Sequence, residues 1–266
     1  MISVICVYND KKMFSECLLK SLRQQTVPYE LIAVDNTASR FSSAAGALNY
    51  GASKIKAETS YVMFVHQDID FATDTLLEEA EKLLEALPNL GIAGAAGRRR
   101  KDEPILSNIT HGALSNRAGQ LIDHPMEVMT VDECLVIIAK EVFEQQSFDE
   151  KTCDGWHAYA VDYSLSIKKT SRGVFVIPLS VHHGSEGPLD TAYFKALKKI
   201  LKKHKKDYNE ICATCGCWNT HVPVVLQMIR SLGLKRIDSL YRSMICLGMV
   251  PKRIIQKRLK QKNNTK

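Results

Sequence analysis

Two carboxylates, Asp68 and Asp70, close the stretch Tyr61-Val62-Met63-Phe64-Val65-His66-Gln67-Asp68-Ile69-Asp70. The first five residues form an apolar run, β-branched and aromatic and too short for a helix, so they read as a buried strand. The acids then stand at the carboxyl end of that strand, the edge at which open α/β sheets bind ligands. Carboxylates are costly to desolvate, and a pair beside a buried strand needs water, hydrogen-bond donors or a cation. A hard divalent cation carrying substrate phosphates meets that need. The competing reading is that Asp68 and Asp70 cap the next helix and face solvent.

The elements that must position these acids follow from the flanking pattern. Residues 2–8, ISVICVY, predict a first strand ending in Asn9-Asp10, with a helix after it whose Met13, Cys17, Leu18 and Leu22 recur at helical spacing. Residues 30–34, ELIAV, predict a second strand ending in Asp35-Asn36. Residues 42–57 read as a helix rich in alanine and glycine, able to approach a sheet or a ligand closely, and 74–87 as an amphipathic helix. A glycine-interrupted strand follows at 90–96. This alternation implies a parallel sheet between helices. Asn9, Asp35 and Asp68 then fall along one sheet edge, which favours the site reading over the capping one. Beyond residue 100 the pattern changes. It predicts a β-excursion over 106–121, an apolar run Cys134–Ile138 introduced by Asp132-Glu133, a helix over 157–169, a strand over 173–179 ahead of His182-His183, and a lysine-rich helix from Asp190.

With 266 residues, 45% of them hydrophobic, the chain can bury a sizeable core. No run approaches the roughly 20 apolar residues that span a bilayer. The start, MISVICVYNDKK, lacks a basic region before its apolar run and does not read as a signal peptide. The eight cysteines lie mostly singly in apolar or helical contexts, which suits a reduced, cytosolic setting. Cys212, Cys215 and Cys217 with His221 are zinc-ligand types, but without a second CxxC the alternative is free core thiols. Charge is uneven. Residues 230–266 hold eleven Lys and Arg against one acid, a net +10, so the first 229 residues carry −3 of the total +7. Apolar residues interleave with these cations and Pro251 divides the segment. Two short basic amphipathic helices of this kind can lie on an anionic membrane. The alternative is that 222–249 pack on the preceding domain and only 252–266 are solvated. An acidic body without a recognition motif argues against nucleic acid.

Taken in order, ISVICVYND, LIAVDNT, ALNYGA, VMFVHQDIDF, FDEKTCDGWHAYAVDYSLSIKK and GVFVIPLSVHHGSEG resemble a family 2-type glycosyltransferase of the GT-A fold. The subgroup they resemble more closely is named after a streptomycin-biosynthesis domain, and the likeness covers roughly residues 2–188. The resemblance implies an α/β, Rossmann-like domain over 1–210, its mostly parallel central sheet flanked by helices, and a helical basic extension over 211–266. It implies a UDP- or dTDP-sugar donor, Mn2+ or Mg2+, inversion at the anomeric carbon, and a saccharide or lipid-linked acceptor of cell-surface polysaccharide synthesis. That work would sit at the inner face of the plasma membrane.

Carried onto this sequence, the family's nucleotide site falls on Val7, Asn9, Asp35, Asn36, Gln67 and Asp68, with Asp35 on the pyrimidine. His66-Gln67-Asp68 occupies the place of the family's Asp-x-Asp, with His66 where the first acid stands. Asp68 and His183 are the implied metal ligands, joined by Asp70 as a further ligand or a helix cap. Trp156, Asp154 and Tyr159 are the implied sugar or acceptor contacts. The usual general base is missing, because Ala160 stands at its position. His157 and Asp162 are the two candidates, with a packing role open for Asp162. A nucleotidyltransferase is the enzymatic alternative, although Tyr8-Asn9-Asp10-Lys11 lacks the glycine-rich loop of that class. An inactive membrane-surface binding protein is the other.

Overall fold

The computed structural model describes residues 1–112, 116–117, 119–185 and 190–231, with the backbone alone at 229–231. The expected membrane-binding helices of 232–266 lie outside the described residues. The first five strands are β1 (Ile2–Tyr8), β2 (Tyr29–Asp35), β3 (Tyr61–Val65), β4 (Ile69–Phe71) and β5 (Leu90–Gly94). A seven-stranded sheet runs in the order Met126–Glu127, Gly173–Val176, β5, Leu135–Ala139, β3, β1, β2. Its pairings give five strands one direction, with Leu135–Ala139 and Met126–Glu127 opposed, so the sheet is mostly parallel as expected.

Both faces of this sheet are covered, which is why its strands read as continuous apolar runs. Alternate residues serve opposite cores. Val4, Cys6, Met63, Leu135 and Ile137 pack with Phe14, Leu18, Leu22, Leu76, Leu77 and Leu84 from the helices Lys11–Glu16, Leu18–Leu22 and Leu76–Glu85. Ile5, Val62, Phe64, Val136 and Ile138 pack with Ala44, Ala45, Leu48, Val142, Phe143, Tyr159 and Tyr163 on the other side. The helix Ala44–Ala52 uses its small residues as anticipated. A Cβ on Gly51 would lie 2.6 Å from Ile5 Cγ2 and 3.2 Å from Val34 Cγ2, so glycine there sets how closely the helix sits on β1 and β2.

The chain after β3 departs from simple alternation. It turns at His66–Asp68 and enters a small second sheet in the order β4, Val181–His183, Ile109–His111, Asn116–Arg117. β4 pairs antiparallel with Val181–His183, placing His183 opposite Ile69, and Gly184 N–H donates to Asp68 O at 2.9 Å. A residue distant in sequence is thereby fixed beside the carboxyl end of β3.

Two expectations about the end of the described chain change. Residues 211–219, expected to open a helical extension, are not helical. Glu210–Ala213 and Gly216–Asn219 form a hairpin, and the helix starts at Val224. Cys212 and Cys217 face each other across that hairpin in a disulfide, which removes them from any zinc site; Cys6, Cys17, Cys134, Cys153 and Cys215 remain thiols. The hairpin is tied back by Thr130 Oγ1, which donates to Cys212 O at 2.7 Å. Val224 shares a core with Leu197, Ile200 and Leu201 of the helix Thr191–His204.

Candidate functional site

A cavity of about 430 Å³ opens at the carboxyl ends of β1, β2 and β3. Of the residues named from sequence, it is lined by Val7, Asn9, Asn36, Gln67, Asp68, Trp156 and Tyr159; His66, Ala44, Leu48 and Ser185 complete much of the wall. Strand termini supply the polar groups because the backbone there leaves the hydrogen-bonded ladder. Gln67 locks two of these ends together. Its Oε1 accepts from Asn9 N (2.9 Å) and Asp10 N (3.0 Å), and its Nε2 donates to Asn9 Oδ1 at 2.7 Å. Asn36 closes the loop after β2, accepting from Phe41 N at 2.8 Å and donating to Phe41 O at 3.3 Å.

At one wall, potential ligand atoms of His66, Asp68 and His183 all lie within 4.8 Å of one another. Asp68 and His183 are buried, and His183 Nε2 stands 3.4 Å from Asp68 Oδ1. Burial pushes the Asp68 carboxyl up, but the hydrogen bond and charge of His183, helped by Ser185 and His66, hold it well below the usual carboxylate range. Burial, then the charge of His183, pushes the His66 imidazole below its ordinary value, towards the neutral form that binds metals. The set is therefore one ionised carboxylate and imidazole nitrogens, a donor combination suited to a transition-metal dication. His111 packs edge-on against His183, with ring centroids 5.4 Å apart.

Other expected residues are placed elsewhere. Asp70 is neither a ligand of this cluster nor a helix cap. It sits mid-strand in β4 opposite His182, between buried Ile69 and Phe71, and Thr75 stands at the start of the next helix. Asp162 is not brought to the cavity. It is buried, accepting from Lys203 Nζ at 2.7 Å and paired with His204 Nε2 at 2.8 Å, so the packing role is the one realised. Asp35 is exposed at the rim, where Thr37's hydroxyl and backbone N–H hold its carboxyl down to about 2. His157 is half-buried on the loop beside Trp156, with Nε2 3.6 Å from Asp190 Oδ1 and its ring against Tyr193. Asp154, exposed, is ion-paired with Lys199. The arginines of a basic loop, Arg98-Arg99-Arg100-Lys101, are held by nearby groups. Arg98 donates to the carbonyls of Arg100 and Lys101, Arg99 to Glu127 O, and Arg100 to Asp102.

Two residues at or behind the site escaped the sequence reading. His66 was legible only as a departure from Asp-x-Asp, although imidazole is itself a metal ligand. Glu133 looked like the polar lead-in to a strand. Its Oε1 accepts from Ala158 N at 2.9 Å, while Oε2 is buried with no hydrogen-bond partner among the described residues. Burial raises this carboxyl to about 8.

The mostly parallel sheet flanked by helices, with a cavity at its carboxyl edge, is a fold of the GT-A type. A family model described as "Glycosyltransferase like family" matches residues 3–208, and the chain belongs to that family. Among solved structures it resembles the Staphylococcus aureus TarS fragment 1–349 in complex with UDP-GlcNAc (16% identity, TM-score 0.51, 75% of this chain and 65% of that one). It also resembles the mannosyltransferase PcManGT from Pyrobaculum calidifontis with GDP-Man and Mn2+ (15%, 0.54, 78% and 64%). A third is GalNAc-T7 with UDP, GalNAc and Mn2+ (11%, 0.53, 76% and 48%). The chain spans less than two thirds of each of these chains, and at such identities the likeness is one of fold. No curated protein matches it by sequence.

Proposed function

We propose that the protein moves a sugar, with inversion, from a UDP- or dTDP-linked donor to a saccharide or lipid-linked acceptor in cell-surface polysaccharide synthesis. The observation that carries the reading is the His66, Asp68, His183 cluster on the wall of a cavity at the carboxyl edge of the sheet. The three proteins of similar fold are named with nucleotide-sugars or their parts, two of them with Mn2+. The donor set fits such an ion: Asp68 is held ionised, His66 neutral, and His183 stands beside both. Imidazole ligands favour Mn2+ over Mg2+. A metal bound there supplies Lewis-acid stabilisation of a diphosphate leaving group.

The chain's own residues account for the rest of the site. In this reading Asp35, at the end of β2 next to Asn36, accepts from a pyrimidine N–H, and the nucleotide lies along Val7, Asn9 and Asn36. Gln67 holds the ends of β1 and β3 in register on the cavity wall. Trp156, exposed on the cavity wall, is a stacking platform for a sugar ring. The motif set FDEKTCDGWHAYAVD supports placement in the streptomycin-biosynthesis-type subgroup. The basic segment 230–266 supports work at the inner face of a membrane.

Calorimetry with UDP, dTDP and GDP, with and without Mn2+, tests the reading directly. Manganese-dependent binding of UDP or dTDP is the expected result. A protein that binds no nucleotide in the presence of either Mn2+ or Mg2+ would overturn it.

A further inference from the structure

We infer that Glu133 is the general base of the transfer reaction, with Oε2 as the atom that takes the acceptor's proton; this rests on the sugar-transfer reading above. The position comes first. Glu133 is bracketed by two residues that line the cavity. The next carbonyl along the chain, Cys134 O, accepts from His66 N at 2.9 Å, and Glu133's own carbonyl accepts from Tyr159 Oη at 2.9 Å. Its side chain reaches under the loop that carries Trp156 and His157 and meets the N–H of Ala158, whose φ of 67° is left-handed. One carboxyl oxygen thus fixes the turn behind the proposed sugar platform, and the other is left over.

That leftover oxygen is the second observation. A buried carboxyl oxygen without a partner is costly and rare unless chemistry uses it. The groups that face Glu133 are Asp132 and Cys134 on its own segment, the Ala158 N–H, the Tyr159 hydroxyl, Cys153, Tyr193 and Cys215. None is a cation, and the Ala158 N–H offsets only part of the burial that favours the protonated form. A base is most effective when it titrates near the working pH.

Of the rival groups, Asp162, Asp132 and Asp154 are already engaged. Ala160 has no functional group. Asp162 is bound to Lys203 and His204. Asp132 accepts from Cys134 N and from Thr214 Oγ1. Asp154 is paired with Lys199, and His157 stands against Asp190. In the step itself the acceptor oxygen attacks the anomeric carbon as its hydroxyl proton passes to Glu133 Oε2. The bond from that carbon to the diphosphate breaks, and its electron pair leaves with the diphosphate.

The experiment uses the full chain with Mn2+ and measures nucleotide release from UDP-GlcNAc and GDP-mannose, water serving as acceptor, across about pH 6 to 9. Wild-type turnover should rise with pH through a midpoint near 8, as the buried carboxyl ionises. Glu133→Gln keeps an oxygen for the Ala158 N–H but cannot accept a proton. It should lose about 10²- to 10⁴-fold in turnover and the pH dependence with it, while its affinity for UDP stays unchanged. Glu133→Asp should recover part of the rate and restore a pH midpoint. A folded Glu133→Gln within threefold of wild type, or one with the wild-type pH profile, overturns the assignment.

If the wild type binds nucleotide but hydrolyses neither donor, carbon NMR of carboxyl-labelled glutamate decides. The resonance that vanishes in Glu133→Gln must move when UDP-GlcNAc and Mg2+ are added. A resonance that ignores them places Glu133 outside the site and overturns the proposal. A wild type that binds no nucleotide instead removes the sugar-transfer reading, and Glu133's role with it.

Discussion

Asp68 Oδ1 lies 3.4 Å from His183 Nε2, across the antiparallel pairing that sets His183 opposite Ile69. Neither group can be deleted without leaving the other in a buried site that no longer holds a cation. Asp68→Ala and His183→Ala should each lose manganese-dependent nucleotide binding, and chelation of the wild type should do the same reversibly. The fold should survive, because neither side chain belongs to the apolar cores on the two faces of the sheet. Circular dichroism and calorimetry together check this, and normal manganese-dependent turnover in Asp68→Ala would sink the metal assignment.

Asp35 is the residue proposed for the other end of the donor. Its carboxylate is exposed, low in pKa through the Thr37 hydrogen bonds, and 3.4 Å from Lys11 Nζ. It is therefore ionised and accessible at any working pH. With a hydrogen bond to a charged acceptor lost, Asp35→Ala should weaken UDP binding by about ten- to a hundredfold. Thermal stability should barely change, since the group is solvated. Equal affinities of the variant and wild type for UDP and dTDP would count against the role.

Asp162 should behave in the opposite way. It joins the helix Tyr159–Lys168 to Lys203 and His204 of the helix Thr191–His204, and both it and His204 are buried. Removing one partner of a buried pair strands the other, at a cost of about 3–5 kcal/mol. Asp162→Ala should lower the melting temperature by many degrees, while the fraction that remains folded binds UDP normally. Lys203 also holds Asp149. Burial raises the Asp149 carboxyl, but the hydrogen bonds from Lys203 and Thr152 depress it overall. A depressed carboxyl stabilises the fold above its unfolded pKa, and that contribution fades as pH falls through the folded value. Lys203→Met should therefore flatten the loss of stability below about pH 4. An unchanged acid limb would show that Asp149 draws nothing from Lys203.

The alternation of strand and helix, the polar strand ends and the small-residue helix were all legible because each is a local pattern with one physical cause. What failed was what depends on pairing partners. Asp70 looked like a ligand or a cap because nothing local shows that Ile69–Phe71 joins a second sheet, where alternation turns Asp70 away from the cluster. Asp162 was a candidate because it aligns with an acid of the resembled family, and the lysine and histidine that engage it lie some forty residues on, at 203 and 204. Glu133 was passed over because a charged residue before an apolar run ordinarily faces water. Only the fold shows the loop at Ala158 closing over it. Cys212 and Cys217 were read by their spacing alone, whereas a hairpin between them makes them cross-strand neighbours.

The last prediction concerns the charge at the carboxyl-terminal end. Residues 230–266 carry a net +10 interleaved with apolar side chains. The helix Thr191–His204 adds a basic face of its own, with Lys195, Lys198 and Lys202 exposed opposite buried Leu197, Ile200 and Leu201. Each Lys or Arg near an anionic leaflet contributes about 1 kcal/mol, within a Debye length of about 10 Å at 0.1 M salt. The full chain should therefore bind phosphatidylglycerol vesicles at low salt, release as salt rises, and ignore neutral vesicles. Ending the chain near Leu232 should abolish binding if the tail is the anchor. The triple change Lys195→Glu, Lys198→Glu, Lys202→Glu should weaken it further only if the helix faces the same surface. Sedimentation with vesicles reads both. A full-length protein that stays in the supernatant with phosphatidylglycerol at low salt would show that the tail is no membrane anchor.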